Sequence, residues 1–146
     1  MAELAEFLAV IACALFAGAA VYINLVEHPA RLSFGTAIAA TQWAPSYKRA
    51  TVMQVPLAVL AAVGGALRWA VGGDVWWLVG ALLILAVIPF TVLIILPTNN
   101  RLLEPQRDRA SAETQRLLEG WGRLHAVRSV MSVAALGLFV WLLVRT

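Results

Sequence analysis

Four apolar stretches dominate the sequence, and they cover residues 4–26, 52–72, 75–97 and 125–144. Each stretch approaches the roughly 20 residues that a helix needs to cross the hydrocarbon core of a bilayer. Because hydrocarbon offers no water to satisfy peptide groups, each stretch is predicted to form a helix. The sequence therefore predicts an all-α integral membrane protein, folded as an up-and-down four-helix bundle.

The chain has 146 residues, 62% of them hydrophobic, and it shows no internal repeat or low-complexity segment. We therefore predict one transmembrane domain that covers residues 1–146. The first apolar stretch lacks a basic leader and is too long for a typical signal peptide, so it is interpreted as a retained helix. Gly72, Gly73 and Asp74 are predicted to form the turn between the second and third helices. The single cysteine, Cys13, is expected to pack as a small apolar residue.

Up-and-down threading divides the rest of the chain between the two sides of the membrane. We call the side with both termini and Gly72 the bare face, and the side with residues 27–51 and 98–124 the loop face. Under the positive-inside rule, the excess of basic residues predicts a cytoplasmic loop face and external termini. The Lys and Arg residues of the loop face are Arg31, Lys48, Arg49, Arg101, Arg107, Arg109, Arg116, Arg123 and Arg128, against Arg68 and Arg145 near the bare face.

The net charge of +3 is consistent with this topology and with contact to anionic lipid. Because no groove-reading or base-stacking motif accompanies the charge, no nucleic-acid partner is expected. An aromatic belt at the bare face is predicted from Trp69, Trp76, Trp77 and Trp141. Close helix packing is predicted from the small residues Ala14, Ala17, Gly18, Ala61, Gly64 and Gly65.

Two segments of the loop face have apolar patterns of their own. Residues 34–47 are moderately apolar, which predicts an interfacial segment that could act as a lid. Residues 113–124 place apolar side chains at helical spacing, which predicts an interfacial amphipathic helix before the fourth span. Gly120 and Gly122 are expected to bend this helix at the membrane surface. In the third span, Pro89 either opens a cavity toward the loop face or is a tolerated kink.

Polar residues of all four predicted helices converge at the loop face. Asn24, Glu27 and His28 fall at positions i, i+3 and i+4, so they share one side of a helix. Pro29 is expected to end that helix after His28. Ionisable groups at membrane depth are costly, which makes this cluster the candidate functional site. The other helices contribute Gln54, Asn99, Asn100, His125 and Arg128.

Several chemical interpretations of the cluster stay open. Glu27, His28 and His125 match a two-histidine, one-carboxylate set for iron or copper. Glu27 and His28 differ by about 100° of helical rotation, however, so they could reach one ion only through a break at Pro29. Alternatively, a histidine acts as a general base, or the pocket binds a hydrophobic ligand without transforming it. The plainest alternative places the cluster among the headgroups, with Glu27 paired to Arg31 or Arg128.

Several stretches of the chain resemble the anthrone oxygenase-like group of small four-helix membrane proteins. The resemblance lies in residues 18–29, 43–56, 88–91, 96–100 and 121–129. These stretches include Tyr-Lys-Arg-Ala at 47–50 and Leu-Pro-Thr-Asn-Asn at 96–100, and they occur in order along most of the chain. The resemblance implies a bacterial inner-membrane protein.

The resemblance further implies oxidation of a hydrophobic, anthrone-type substrate by O2 with no dedicated cofactor. His125 or His28 would then be the base, and Glu27 and Arg128 would complete the catalytic group. The oligomeric state stays open. The residues expected to hold the substrate are Asn24, Gln54, Asn99 and Asn100 at its oxygens, and Trp43, Tyr47 and Trp121 beside its rings.

Overall fold

The structure is a computed structural model that describes residues 1–145, and these residues form four long helices and no strand. All four are long and apolar enough to cross a membrane, which supports an integral membrane protein and confirms the predicted all-α architecture. The helices are α1 (Ala2–Ser33), α2 (Thr36–Ala70), α3 (Val75–Leu102) and α4 (Ala112–Val144).

Helix α2 begins much earlier than the apolar pattern predicted. Its first turns contain residues 36–47, so the prediction of a separate interfacial lid there was wrong. The helix continues because Ala39, Ala40 and Trp43 bury one face of it against the bundle, and this packing outweighs the proline at position 45. Gly35, with φ of 87°, makes the tight turn that joins α1 to α2.

Helix α4 contains both the predicted amphipathic segment and the fourth span. Its first turn is capped by Ser111, whose hydroxyl accepts a hydrogen bond from the backbone N–H of Thr114 at 3.2 Å. The helix then runs from Ala112 to Val144 without interruption, and Gly120 and Gly122 do not break it. The segment predicted to be an amphipathic helix is therefore helical, and it is continuous with the fourth span.

Two π-helical segments interrupt the α-helical hydrogen-bonding pattern, at Ile23–Glu27 in α1 and Thr91–Ile95 in α3. Each segment ends two residues before a proline, at positions 29 and 97. A proline removes one backbone donor, and its ring crowds the carbonyl four residues earlier. The wider π turn accommodates this crowding, so α1 continues to Ser33 and the prediction that it ends after His28 was wrong.

The apolar core toward the bare face is built around aromatic rings. Trp77 is 1% exposed and stacks on Phe139, with ring centroids 5.5 Å apart. Its assignment to the aromatic belt was therefore wrong, because the α3 register turns this ring inward. The turn at Gly72 is as predicted, with φ of 94°, and Asp74 caps α3 through the N–H of Trp76. The remaining belt residues, Trp69, Trp76 and Trp141, are exposed.

Helices α1 and α2 approach each other closely at a glycine. A Cβ atom built on Gly64 of α2 would lie 2.5 Å from the backbone nitrogen of Ala9 and 2.8 Å from the carbonyl oxygen of Ala5, both in α1. The small-residue prediction is thus confirmed at this position. Gly18 differs, because no described atom lies within 4 Å of its Cβ position.

Candidate functional site

The centre of the polar cluster is a hydrogen-bonded contact between α1 and α4. Asn24 donates from Nδ2 to the carbonyl oxygen of Gly122 at 3.0 Å, which fixes the orientation of its amide. The amide oxygen then accepts from the Ser129 hydroxyl at 2.6 Å and lies 2.7 Å from Nδ1 of His125. An amide oxygen can only accept, so Nδ1 carries the proton. In the neutral ring, Nε2 of His125 is therefore the basic nitrogen.

His28 forms its hydrogen bond through the other ring nitrogen. Its Nε2 lies 3.0 Å from the carbonyl oxygen of Leu118, so Nε2 is the donor. Nδ1 is buried and has no hydrogen-bond partner among residues 1–145. The ring packs flush on α4, because a Cβ atom on Gly122 would lie 2.8 Å from it. Gly122 is thus the residue that allows His28 to approach α4.

Glu27 is directed away from both histidines, toward α2. Its Oε1 accepts from the Ser46 hydroxyl at 2.6 Å and from Gln42 at 3.1 Å, and it pairs with Arg31 at 2.5 Å. The continuous helix keeps Glu27 and His28 on different sides, so the break that a shared metal site required does not occur. Within residues 1–145, no three His, Cys, Asp or Glu side chains form a group that could hold a metal ion.

Two arginines supply the positive charge of the site. Arg128 is 9% exposed and donates from Nη2 to Oε1 of Gln54 at 2.9 Å. Arg31 is 5% exposed and bonds Glu27 and Ser46 through Nη2 alone. Several buried N–H groups of the two arginines and of Gln54 have no hydrogen-bond partner in the described chain, and a buried donor left unpaired is costly. These atoms are Nε and Nη1 of Arg31, Nε2 of Gln54 and Nε of Arg128.

Trp121 is the aromatic centre of the cluster. Its ring lies 4.8 Å from His125 and 5.0 Å from His28, and it meets Trp43 edge-on at 5.7 Å. Trp43 is fully buried and stacks on Tyr47 at 5.0 Å. These contacts fix the position of the His125 ring, while Trp121 and Tyr47 also line the cavity described next.

A small cavity lies between α1, α2 and α4, and no described residue of α3 lines it, so the predicted convergence of all four helices on one pocket holds for three of them. The cavity measures about 10 Å³, which is room for one water molecule. Arg31, Gln54, Trp121, His125 and Arg128 line it, whereas His28 is not among its described lining residues. The basic Nε2 of His125 has no hydrogen-bond partner among the described residues, so this ring combines a free base with a cavity rich in donors.

The two asparagines of α3 differ in their surroundings. Asn99 is fully buried, and neither its Nδ2 nor its Oδ1 has a partner in the part of the chain described. Asn100 is exposed and does not line the cavity. Of the residues predicted for the site, the structure thus brings Asn24, Gln54, His125 and Arg128 together and leaves Asn100 outside.

A family model described as anthrone oxygenase matches residues 43–138, which is more than half of the 146-residue chain. The chain belongs to the anthrone oxygenase family. This confirms the resemblance inferred from the motifs. No curated protein and no solved structure matches the chain. In this anthrone oxygenase family member, the matched segment contains Gln54, His125 and Arg128, whereas Asn24, which orients His125, precedes it.

Sequence reasoning missed Arg31 as a site residue of this anthrone oxygenase family member. Arg31 follows Glu27 by four residues, a spacing that pairs charges on a helix. The pairing of Glu27 with Arg31 was considered only as a headgroup contact, and Arg31 was not assigned to the site because Pro29 was taken as the end of the helix. Ser46 was missed as well, since residues 34–47 were assigned to a lid and not to the helix that faces Glu27.

The hydrogen bonds predict opposite tautomers for the two histidines of this chain. We expect ¹⁵N NMR of histidine-labelled protein above pH 7 to show a protonated Nδ1 on His125 and a protonated Nε2 on His28, because each donates to an oxygen. His28→Gln assigns the two signals. Asn24→Ala should abolish the Nδ1 preference of His125 and leave His28 unchanged; a His125 signal unaffected by Asn24→Ala would contradict the assignment.

Proposed function

We propose that the protein catalyses the O2-dependent oxidation of a hydrophobic phenolic or anthrone-type substrate, and that it does so without a metal or an organic cofactor. Membership of the anthrone oxygenase family supports the reaction class. The observation that carries the proposal is that His125, whose Nε2 has no partner among the described residues, lines a cavity together with guanidinium and amide donors. The anthrone methylene lies across the central ring from the carbonyl and is conjugated with it, so forming the carbanion requires a general base and donors that stabilise negative charge on the carbonyl oxygen.

His125 is the general base in this mechanism. Its Nε2 takes a proton from the methylene carbon of the anthrone, while Asn24 holds Nδ1–H and stabilises the charged ring. The hydrogen bond from Nδ1–H to an oxygen fixes the imidazole in the required tautomer, as the aspartate does in Ser-His-Asp triads. The proton that His125 accepts is returned later in the same cycle.

Arg128 and Gln54 stabilise the developing negative charge. Deprotonation of an anthrone moves charge onto its carbonyl oxygen, which becomes an enolate. The unpartnered Nε of Arg128 and Nε2 of Gln54 are buried donors near that position, and Arg31 offers Nε and Nη1. Donors held in place before the reaction cost no reorganisation, and their effect is strong where water is excluded.

The oxidation step consumes one O2 for each substrate. The carbanion transfers an electron to O2, the two radicals combine to a C–O bond, and His125 returns its proton to the distal oxygen. Loss of water from this hydroperoxide takes the remaining C–H proton and breaks the O–O bond. The methylene becomes a carbonyl, so the products are one anthraquinone and one water, and atoms and electrons balance.

The proposed orientation in the membrane places the site on the cytoplasmic side. Arg31 and Arg128 belong to the site, and the loop face also carries most of the other basic residues of the chain. The positive-inside rule then leaves both termini outside. A hydrophobic product released at this depth partitions into the bilayer.

The experiment that tests the proposal measures O2 uptake by purified protein in lipid nanodiscs with 1,8-dihydroxyanthrone. We expect uptake in a one-to-one ratio with anthraquinone formed, above the uncatalysed rate with empty nanodiscs. With ¹⁸O2, one labelled atom should enter the quinone. Elemental analysis and an optical spectrum of the same sample should show no stoichiometric metal, haem or flavin.

Two outcomes would contradict the proposal. Stoichiometric iron or copper that is required for uptake would assign the reaction to metal chemistry. Metal-free protein that binds the anthrone without accelerating uptake would indicate a binding protein for hydrophobic ligands, the chief alternative interpretation of the same cluster.

A further inference from the structure

An apolar cavity lies beside the polar one, between α2 and α3. It measures about 130 Å³, and its walls include Val55 and Ala58 of α2 and Val87 and Val92 of α3. Tyr47, Thr51 and Arg128 line both cavities. The two cavities are therefore neighbours that share one wall, which includes Arg128.

Arg128 marks the inner end of the apolar cavity. The side chain is more than nine-tenths buried, and its Nε has no partner within residues 1–145. The guanidinium lies 5.6 Å from the ring centroid of Phe16, which also lines the cavity. An oxygen acceptor that enters from the apolar side would satisfy this donor, and an anionic oxygen would satisfy it best.

The outer end of the cavity opens toward lipid. Val55 and Val92 line it and are 41% and 52% exposed, respectively. Both lie in the apolar stretches that cross the membrane, where the surroundings are hydrocarbon. The π-helical segment Thr91–Ile95 forms part of this wall, with Thr91 bonded to the carbonyl oxygen of Val87 at 2.7 Å.

The size of the cavity limits what it can hold. An apolar cavity of about 150 Å³ in another protein binds benzene, so about 130 Å³ admits one aromatic ring and little more. Three fused rings do not fit entirely inside. The rest of such a molecule must extend through the opening between α2 and α3 into the bilayer.

We propose that this cavity is a lateral entrance that admits a single oxygen-bearing aromatic ring from the bilayer, with its oxygen toward Arg128. This inference rests on the proposed function and names its substrate class, phenols and hydroxyanthrones that are dissolved in the membrane. In a 1-hydroxyanthrone the hydroxyl of the outer ring lies beside the carbonyl of the central ring, so the ring that enters first carries both oxygens toward Arg128. The groove on the other flank of α2 is lined by both Glu27 and Arg49, and it suits the oxygen less well because none of its described lining side chains has a buried N–H group without a partner.

The test uses photolabelling of the full-length protein in nanodiscs. The probe is a phenol with a diazirine para to the hydroxyl, and the comparison probe carries a methyl group in place of the hydroxyl. After illumination, peptide mass spectrometry locates the label. We expect the phenol to label the cavity walls at Val55, Ala58, Val87 and Val92, and the methyl probe to label them far more weakly.

Matched variants test the entrance itself. Val92→Trp fills the opening, whereas Leu93→Trp adds the same side chain one residue away, at a position that is 72% exposed and not among the described lining residues. We expect Val92→Trp to reduce labelling of the cavity at least about tenfold, because the indole occupies the opening through which the ring of the probe enters. Leu93→Trp should label like the wild type, and both variants should elute as folded protein.

Three results would contradict the proposal that this cavity is an entrance. They are equal labelling of Val92→Trp and wild type, equal loss in both tryptophan variants, and label concentrated at the groove lined by Glu27 and Arg49. Equal labelling by the methyl probe would overturn the role of Arg128. Oxygen uptake is measured separately on the same samples. Labelling at the cavity without uptake refutes the proposed oxidation alone, and uptake that is indifferent to Val92→Trp refutes the entrance alone.

Discussion

Replacement of His125 by glutamine is expected to lower anthrone-dependent O2 uptake by about 10²–10⁴-fold, the contribution typical of a general base. Glutamine retains a polar side chain of similar length but has no basic nitrogen to face the cavity. The loss should appear in kcat with a smaller change in KM, because the base acts on the bound substrate. Initial rates of O2 uptake at saturating anthrone measure it.

His28→Gln is the matched control, since the chain has only these two histidines. His28 donates to the carbonyl oxygen of Leu118, and a glutamine amide can also donate. We expect the His28 variant to retain most of the activity. Circular dichroism and size exclusion show whether both variants are folded. If they are, an equal loss of activity in His28→Gln and His125→Gln would contradict the assignment of His125 as the base.

Substitution of Gly64 by alanine is expected to destabilise the bundle by about 1–3 kcal/mol or more, the range for overpacking a close contact. The added Cβ would lie 2.5 Å from the backbone nitrogen of Ala9, and backbone cannot move aside as a flexible side chain can. Helices α1 and α2 must then separate, which also disturbs the contacts around Phe16. Reversible unfolding by denaturant in mixed micelles measures the difference.

Gly18→Ala provides the comparison for this variant. Both glycines are in the apolar half of the bundle, yet the Cβ position of Gly18 meets no described atom within 4 Å. Alanine in a helix interior is favoured over glycine by about 0.5–1 kcal/mol, so Gly18→Ala should be neutral or stabilising. Equal destabilisation of the two variants would contradict the α1–α2 contact as the cause, because helix propensity favours alanine at both positions.

The lengths of the apolar stretches were enough to predict the number and class of the helices, because a bilayer imposes both. The helix ends were not predictable in the same way. Pro29 and the proline at 45 signal a break by their local chemistry, but both lie inside helices here, since tertiary packing and a π turn accommodate them. The inward position of Trp77 likewise depends on register that composition does not reveal.

Part of the candidate site was predictable from spacing. The i, i+3 relation of His125 and Arg128 and the position of Asn24 near a helix end placed these groups on one side of the membrane. The rotation of about 100° between Glu27 and His28 predicted that they point in different directions. The sequence could not indicate which helix each of them faces, because that depends on the π segment Ile23–Glu27. The roles assigned to these residues stay predictions.

Each π segment changes the direction in which the side chains that follow it point around the helix axis. A π turn contains one residue more than an α turn, so everything after it is rotated relative to everything before it. Within α1 and α3, the half that packs Phe16 and Trp77 is therefore not in register with the half that carries Asn24 and Asn99. The apolar packing around Phe16 and Trp77 and the orientation of the polar side chains beyond each π segment are therefore set by separate stretches of the same helices.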